Sequence, residues 1–263
     1  MEPEDFRKSL NPKSSVKHVV AVLSGKGGVG KSLVCALLAS QLRRMGYEVG
    51  VMDADITGPS IPKAFGVKGS VALSQDNLMI PPVSGTGIKL MSSNLLLDQE
   101  DAPVIVRGPV IAGMVTQFWT DTDWGHLDYM LIDMPPGTGD VPLTVFQSLP
   151  VDCAVVVTSP QELASMVVKK AVNMAEKMNI ALLGVIENMS YYVCPDCGKT
   201  HSVFGETHIA EITEMYGLKL LARIPIDPEI SSLIDSGRAY DIDPSCIEVA
   251  AKELTGFCGL SVS

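Results

Sequence analysis

The sequence predicts an α/β protein with a doubly wound, mostly parallel sheet flanked by helices. Three observations carry that expectation. Short apolar runs such as His18–Leu23, Cys153–Val157 and Ile180–Ile186 alternate with longer segments of helical period. The segment Leu33–Arg44 is rich in Leu and Ala and free of Gly and Pro, as a helix requires. Between the first strand and that helix lies the turn SGKGGVGKS, Ser24 to Ser32. No linker or internal repeat interrupts the alternation. Residues 18–263 are therefore expected to form one domain behind a polar, flexible leader of residues 1–17.

Composition narrows the class. With 46% hydrophobic and 19% charged residues, the chain is globular rather than disordered. A net charge of −10 argues against a nucleic-acid footprint, which is basic. No apolar stretch approaches membrane-spanning length. The N-terminus lacks the apolar centre of a secretory signal, and its acids disfavour a transit peptide. A cytoplasmic setting with reduced thiols is expected.

The turn fits the phosphate-binding pattern G-x-x-x-x-G-K-[ST] at Gly25, Gly30, Lys31 and Ser32. Glycines let successive backbone N–H groups converge on an anion, and the following helix adds the positive end of its dipole. In that pattern Lys31 reaches the β- and γ-phosphates of a nucleotide and the Ser32 hydroxyl binds Mg²⁺. Gly46 is placed to stop the helix. The next strand, Glu48–Asp53, delivers Asp53 and Asp55 to the mouth of the sheet, where ligands bind in open α/β folds.

Residues 70–83 read as a hairpin around Gln75, Asp76 and Asn77, and Ile88–Ser92 as a further strand. A helix is expected over Arg107–Trp119, begun near Pro109, with apolar rows 110/114/118 and 111/115/119. Its broad face suits a core helix, or a face on which Phe118 and Trp119 pack against a partner subunit. Leu127–Asp133 is an apolar strand ending in an acid, the Walker B arrangement. Asp133 is placed to hold Mg²⁺ directly or through water. The turn PPGTGD, Pro135 to Asp140, can sense a γ-phosphate through its backbone N–H groups. A helix over 161–178 puts Leu163, Val167, Ala171, Met174 and Met178 on one face. Asn188 stands just past the strand Ile180–Ile186, and Leu220–Pro225 is the last strand. A polar helix over about 244–255 closes the chain.

Six cysteines divide into types. Cys35 and Cys153 fall in core elements, and Cys246 and Cys258 stand alone near the C-terminus. Cys194 and Cys197 form a C-P-x-C-G knuckle, Cys194 to Gly198, able to share one metal or cluster. Zinc or a [4Fe–4S] cluster wants four ligands, so a two-fold dimer would supply the second pair. A single-chain zinc site drawing on His201 or His208 and a buried structural thiol pair are the alternatives. A thioredoxin-like redox pair is disfavoured, since Gly198, Lys199 and Thr200 follow instead of a helix start. Spacing does not separate zinc from iron–sulfur.

A second lysine inside the loop, Lys26, makes it resemble the deviant Walker A class of ATPases, which includes MinD, ParA and the nitrogenase iron protein. In that class the early lysine reaches a partner's nucleotide, which implies an ATP-sandwich homodimer. More narrowly, DADITGPSIP (Asp53–Pro62), VRGP (Val106–Pro109), DMPPGTGD (Asp133–Asp140), TSPQ (Thr158–Gln161) and ENMS (Glu187–Ser190) follow in the order of the Mrp family. These are P-loop ATPases that act as iron–sulfur cluster carriers or scaffolds. The chain is similar to them from about residue 18 to about residue 240. Thr57, where many relatives have an aromatic residue or His, is a departure.

The resemblance implies that the loop residues Gly25, Lys26, Gly27, Gly28, Val29, Gly30, Lys31 and Ser32 bind ATP. It makes Asp53–Pro59 switch I and the PPGTGD turn switch II. Asp55 would orient the attacking water and Asp53 would support Mg²⁺, so Lys26, Lys31 and Asp55 form the catalytic set. Asn188 would contact adenine through its amide, with a turn role as the alternative, and Ile226 and Asp227 would lie near the base. The implied protein is a homodimeric, Mg²⁺-dependent and slow ATPase. It would bridge a labile [4Fe–4S] cluster between subunits at Cys194 and Cys197 and deliver it to apo iron–sulfur proteins, with neither nucleic acid nor membrane as partner. Zinc would occupy the site in air-purified protein. The rival is a spatial switch of MinD or ParA type with a structural zinc knuckle. It would want a basic membrane helix or a basic DNA patch, and Ile247–Phe257 carries Glu248, Lys252 and Glu253 with no basic cluster.

Overall fold

Strands buried on both faces and returned each time by a helix can pair only in parallel. The computed structural model shows this arrangement over the residues it describes, 7–56, 58–96, 108–137, 139–160 and 164–260. Thr57, Arg107, Thr138, Gln161 and Leu163, which the sequence reading places in a switch or at a helix start, lie outside them. β1 (Ser15–Ser24) leads through the glycine loop into α1 (Lys31–Arg44), β2 (Val49–Asp53) and the single turn α2 (Ile61–Ala64). The expected hairpin is β3 (Ala72–Leu73) with β4 (Met79–Ile80), turned at Asn77 with φ 59°. Then come β5 (Lys89–Met91), α3 (Gly108–Thr120), β6 (His126–Asp133), α4 (Asp140–Ser148), β7 (Cys153–Thr158), α5 (Ala164–Met178) and β8 (Ala181–Glu187). A small hairpin, β9 (Tyr192–Val193) and β10 (Thr200–His201), carries the cysteine pair. The chain continues through α6 (Ile209–Met215), β11 (Lys219–Arg223), α7 (Pro228–Asp235) and α8 (Glu248–Leu260).

The sheet order is β11-β8-β7-β1-β6-β2-β5, parallel throughout. β1 sits at the centre with β7 on one side and β6 on the other, so the crevice above its C-terminal end is the topological switch point. Register aligns the functional strand ends there. Asp53 pairs with Asp133, Ser24 with Val157, and Glu187 with both Thr158 and Arg223.

Alternation along the strands puts apolar core on both faces of the sheet, with a smaller cluster around Val156, Val168, Val185 and Ile209 beneath α5 and α6. Val20 and Val22 face one way with Val51, Leu37, Leu38, Leu42, Ala250 and Leu254, beneath α1 and α8. Val19, Ala21 and Leu23 face the other way with Met52, Ile132, Phe118, Trp119, Val145 and Phe146, beneath α3 and α4.

The structure decides one alternative in favour of the core and corrects three expectations. Phe118 and Trp119 are 1% and 2% exposed and belong to this chain's own core, so they present no face to a partner; Val110 is the outward member of their rows. The leader, expected to be loose through residue 17, is engaged from Lys8. The Lys8 N–H donates to Ser148 O, the Trp119 indole donates to Lys8 O, and Asn11 Nδ2 donates to Thr120 O and Thr122 O. The cause is general: carbonyls in the last turn of a helix lack intrahelical partners, and this segment satisfies those ending α3 and α4. Cys258, read as isolated, is buried in the same core as Cys153. The helix carrying it starts later than expected and buries Ala250, Ala251 and Leu254, so it is amphipathic rather than polar.

Candidate functional site

The loop after β1 closes because Gly28 and Gly30 both adopt φ 80°, a conformation costly for residues with a Cβ. Gly30 is the N-cap of α1, and its carbonyl accepts the first helical bond from Val34 N. Lys31 and Ser32 thus occupy the first turn, where unsatisfied N–H groups favour an anion. Lys31 is 6% exposed and Asp133 is fully buried. Lys31 Nζ lies 2.5 Å from Asp133 Oδ1, and Ser32 Oγ donates to Asp133 Oδ2 at 2.5 Å. The Walker A cation and hydroxyl are therefore both held on the Walker B carboxylate.

Asp53 is also fully buried and serves the local backbone. Its Oδ2 accepts from Ser60 N at 3.0 Å, Ile61 N at 3.2 Å and Ser92 Oγ at 3.2 Å, and its Oδ1 from Asp55 N at 3.1 Å. It thereby caps α2 and draws the Asp55 and Ser60 backbone towards the end of β2. Burial and the Asp133 charge push its carboxyl up to about 7, against the pull of the Ile61 N–H and Lys31. Burial likewise raises Asp133, with Lys31 opposing it.

The glycine loop lines a cavity of about 250 Å³ with Lys31 and Ser32, and Asp55, Gly58 and Pro136 from the two switch segments face into it. Switch II is docked through Gly137 N, which donates to Ser24 O at 2.8 Å. A larger cleft of about 640 Å³ lies between β8, β11 and α8, but none of the glycine loop, Lys31, Ser32 or the acids at the strand ends lines it, so chemistry and not size selects the smaller one. Lys26 is half-buried within the loop.

The residues assigned to the base each have partners within the chain. Asn188 is 3% exposed and donates from Nδ2 to Val29 O at 2.9 Å, and a Cβ on Gly30 would overlap that amide. It thereby braces the phosphate loop. Ile226 N donates to Tyr191 O at 2.6 Å, and Asp227 caps α7 by accepting from Glu229 N at 2.8 Å. Neither lines the loop cavity.

The cysteine pair sits at the tip of the β9–β10 hairpin. Cys194 N donates to Lys199 O and Gly198 N to Cys194 O, each at 2.9 Å, and Gly198 turns with φ 68°. Cys194 is half-buried and Cys197 exposed. The Cys194 thiol is held below its ordinary range by the Cys197 and Asp196 backbone N–H groups and by the Cys197 side chain. His201 lies on β10, and His208 is 3.5 Å from Glu211. Among the described residues no three His, Cys, Asp or Glu side chains group for a metal, so the single-chain zinc site is not assembled there.

Sequence reasoning quoted Glu187 within a motif and gave it no role. It is fully buried, and Ser190 Oγ and Thr207 Oγ1 both donate to it. An acid closing an otherwise apolar strand beside Asn188 was the available signal.

A family model described as ParA, NUBPL iron-transfer P-loop NTPase, matches residues 15–255. An iron-sulfur cluster carrier protein of Aquifex aeolicus (strain VF5) is 48% identical over 235 residues, spanning 89% of this chain and 65% of that protein. Its namesake in Clostridium perfringens (strain 13 / Type A) is 47% identical over 234 residues, 86% of this chain and 82% of the relative. The solved nucleotide-binding protein of Archaeoglobus fulgidus, in complex with ADP and with Co found in it, matches with TM-score 0.80 and 45% identity over 89% of this chain and 91% of that one. The cell division ATPase MinD of Pyrococcus furiosus shares the fold, with TM-score 0.69 at 18% identity over 92% and 99%. Identity of this extent over most of the chain shows that it belongs to the ParA-type family of iron-transfer P-loop NTPases, together with the iron–sulfur cluster carrier proteins.

Proposed function

We propose that this protein is an ATP-dependent iron–sulfur cluster carrier. It acts as a cytoplasmic homodimer of one ATPase domain per chain, holds a [4Fe–4S] cluster between subunits on Cys194 and Cys197, and passes it to apo-proteins. The observation that carries this reading is the knuckle: two thiols at a hairpin tip, one favoured as thiolate, on the same chain as a phosphate loop. Two thiolates are half of what a [4Fe–4S] cluster needs, and a two-fold axis through the tip supplies the rest.

Lys31 Nζ lies against Asp133 Oδ1. A triphosphate in the loop competes for that lysine and frees the carboxylate. Ser32 Oγ and Asp133 Oδ2 converge within 2.5 Å, an oxygen pair that suits Mg²⁺. Bound Mg²⁺ supplies charge neutralisation at the phosphate oxygens. Asp55 faces the same cavity and orients the attacking water, while the Gly137 N–H leaves Ser24 O for the γ-phosphate. Asp53, by capping α2, holds switch I in reach and supports the Mg²⁺ site from behind. Lys26 serves the partner's nucleotide. For Asn188 to meet adenine it must release Val29, and Ile226 and Asp227 complete that side of the base.

Two variants test the reading. Lys31→Ala is expected to lose ATP hydrolysis, and unchanged turnover would remove the loop from the mechanism. The Cys194→Ala/Cys197→Ala protein is expected to keep its fold and ATP binding while losing cluster transfer to an apo-ferredoxin. Transfer at the wild-type rate would place the cluster elsewhere.

A further inference from the structure

Glu187 ends β8 with its carboxylate fully buried. Oε2 accepts from Ser190 Oγ and lies 3.5 Å from Arg223 Nε, while Oε1 accepts from Thr207 Oγ1. Arg223 Nε in turn donates to Ser190 Oγ at 2.7 Å. Ser190 and Thr207 are the two feet of the excursion 190–207 that carries β9, β10, Cys194 and Cys197. One carboxylate therefore ties down both ends of the segment that presents the thiols. Hydrogen bonds to a buried charged group are the strong kind, and leaving one unmade is costly.

The next residue is tied to the phosphate loop. Asn188 donates from Nδ2 to Val29 O and from its backbone N to Thr158 O, each at 2.9 Å. The amide also packs where a Cβ on Gly30 would lie, so only glycine fits there beside it. Met189 follows with φ 55°, a left-handed conformation that fixes how the chain leaves the strand. Two consecutive residues thus join the phosphate loop to the feet of the cysteine hairpin, through discrete bonds that are made or broken rather than stretched.

We propose that Glu187 is a positioning residue that transmits the state of the phosphate loop to the geometry of Cys194 and Cys197. The proposal deepens the carrier reading and rests on it for the ligands at the two ends. The link itself can be read on bare thiols. The test uses the full-length, reduced, metal-free protein. Alkylation rates of Cys194 and Cys197 by iodoacetamide are measured by mass spectrometry without nucleotide and with saturating Mg·ATP, and ATP affinity is measured on the same samples. In wild type, nucleotide is expected to change the rate at the pair by about fivefold or more. In Glu187→Gln that response is expected to vanish while ATP affinity stays at the wild-type value, a pattern that general loosening would not produce.

A wild-type response retained in Glu187→Gln overturns the proposal. So does a wild-type pair that ignores bound nucleotide. Should Glu187→Gln fail to fold, Thr207→Val frees one foot and leaves Ser190 and Arg223 on the carboxylate. Its response is expected to fall, and an unchanged one overturns the proposal. Failure of the carrier reading shows separately, as absence of iron uptake by wild type, which the alkylation rates do not report.

Discussion

Lys31 and Asp133 hold opposite charges 2.5 Å apart where water scarcely reaches either. Such a pair contributes little net stability, but removing one partner strands the other. Lys31→Ala is therefore expected to lower the stability of the nucleotide-free protein by about 3 kcal/mol, besides abolishing hydrolysis. Adding Asp133→Asn should recover part of that loss in a denaturant titration, and no recovery would mean the pair is not the cause. Asp53 sets a pH dependence whose sign follows from its raised carboxyl. The folded protein holds that proton up to about 7, whereas the unfolded chain releases it near 4. The stability from protonated Asp53 is complete below about pH 4 and lost as pH rises to about 7. The nucleotide-free melting temperature should fall across that window in wild type, and in Asp53→Asn the Asp53 part of the slope should disappear. Equal slopes would show that Asp53 is not the titrating group.

At the scale of elements, α3 shows what was legible in the sequence and what was not. Its two apolar rows gave the helix, but periodicity does not say what covers a face. The covering layer comes from α4, the sheet and the segment from Lys8, all distant in sequence. Trp119→Ala is accordingly expected to cost about 3–5 kcal/mol in the folding of a single chain, and Val110→Ala less than about 0.5 kcal/mol. A Trp119 effect seen only in dimer dissociation would reverse the assignment. The phosphate loop, the Walker B strand and the cysteine knuckle were readable because each is local, with glycines, an apolar run or a proline turn that states its own geometry. Glu187, the shared burial of Cys153 and Cys258 and the bracing role of Asn188 were not, since each depends on partners that only the folded chain brings near. Asp53 was half legible: its position at a strand end is local, whereas its bonds to Ser60, Ile61 and Ser92 come from the folded loop.

At the scale of the molecule, the phosphate loop and the thiol pair rise from the same edge of one sheet, after β1 and after β8. A nucleotide that reshapes the crevice is then placed to reshape the hairpin. The central claim is that two chains share one cluster. It is tested most directly by anaerobic reconstitution with iron and sulfide, followed by native mass spectrometry and an absorption spectrum. A dimer carrying a single [4Fe–4S] cluster is expected, with the cluster absent when Cys194 and Cys197 are both Ala. A cluster on a monomer, or one that survives the double substitution, would contradict it.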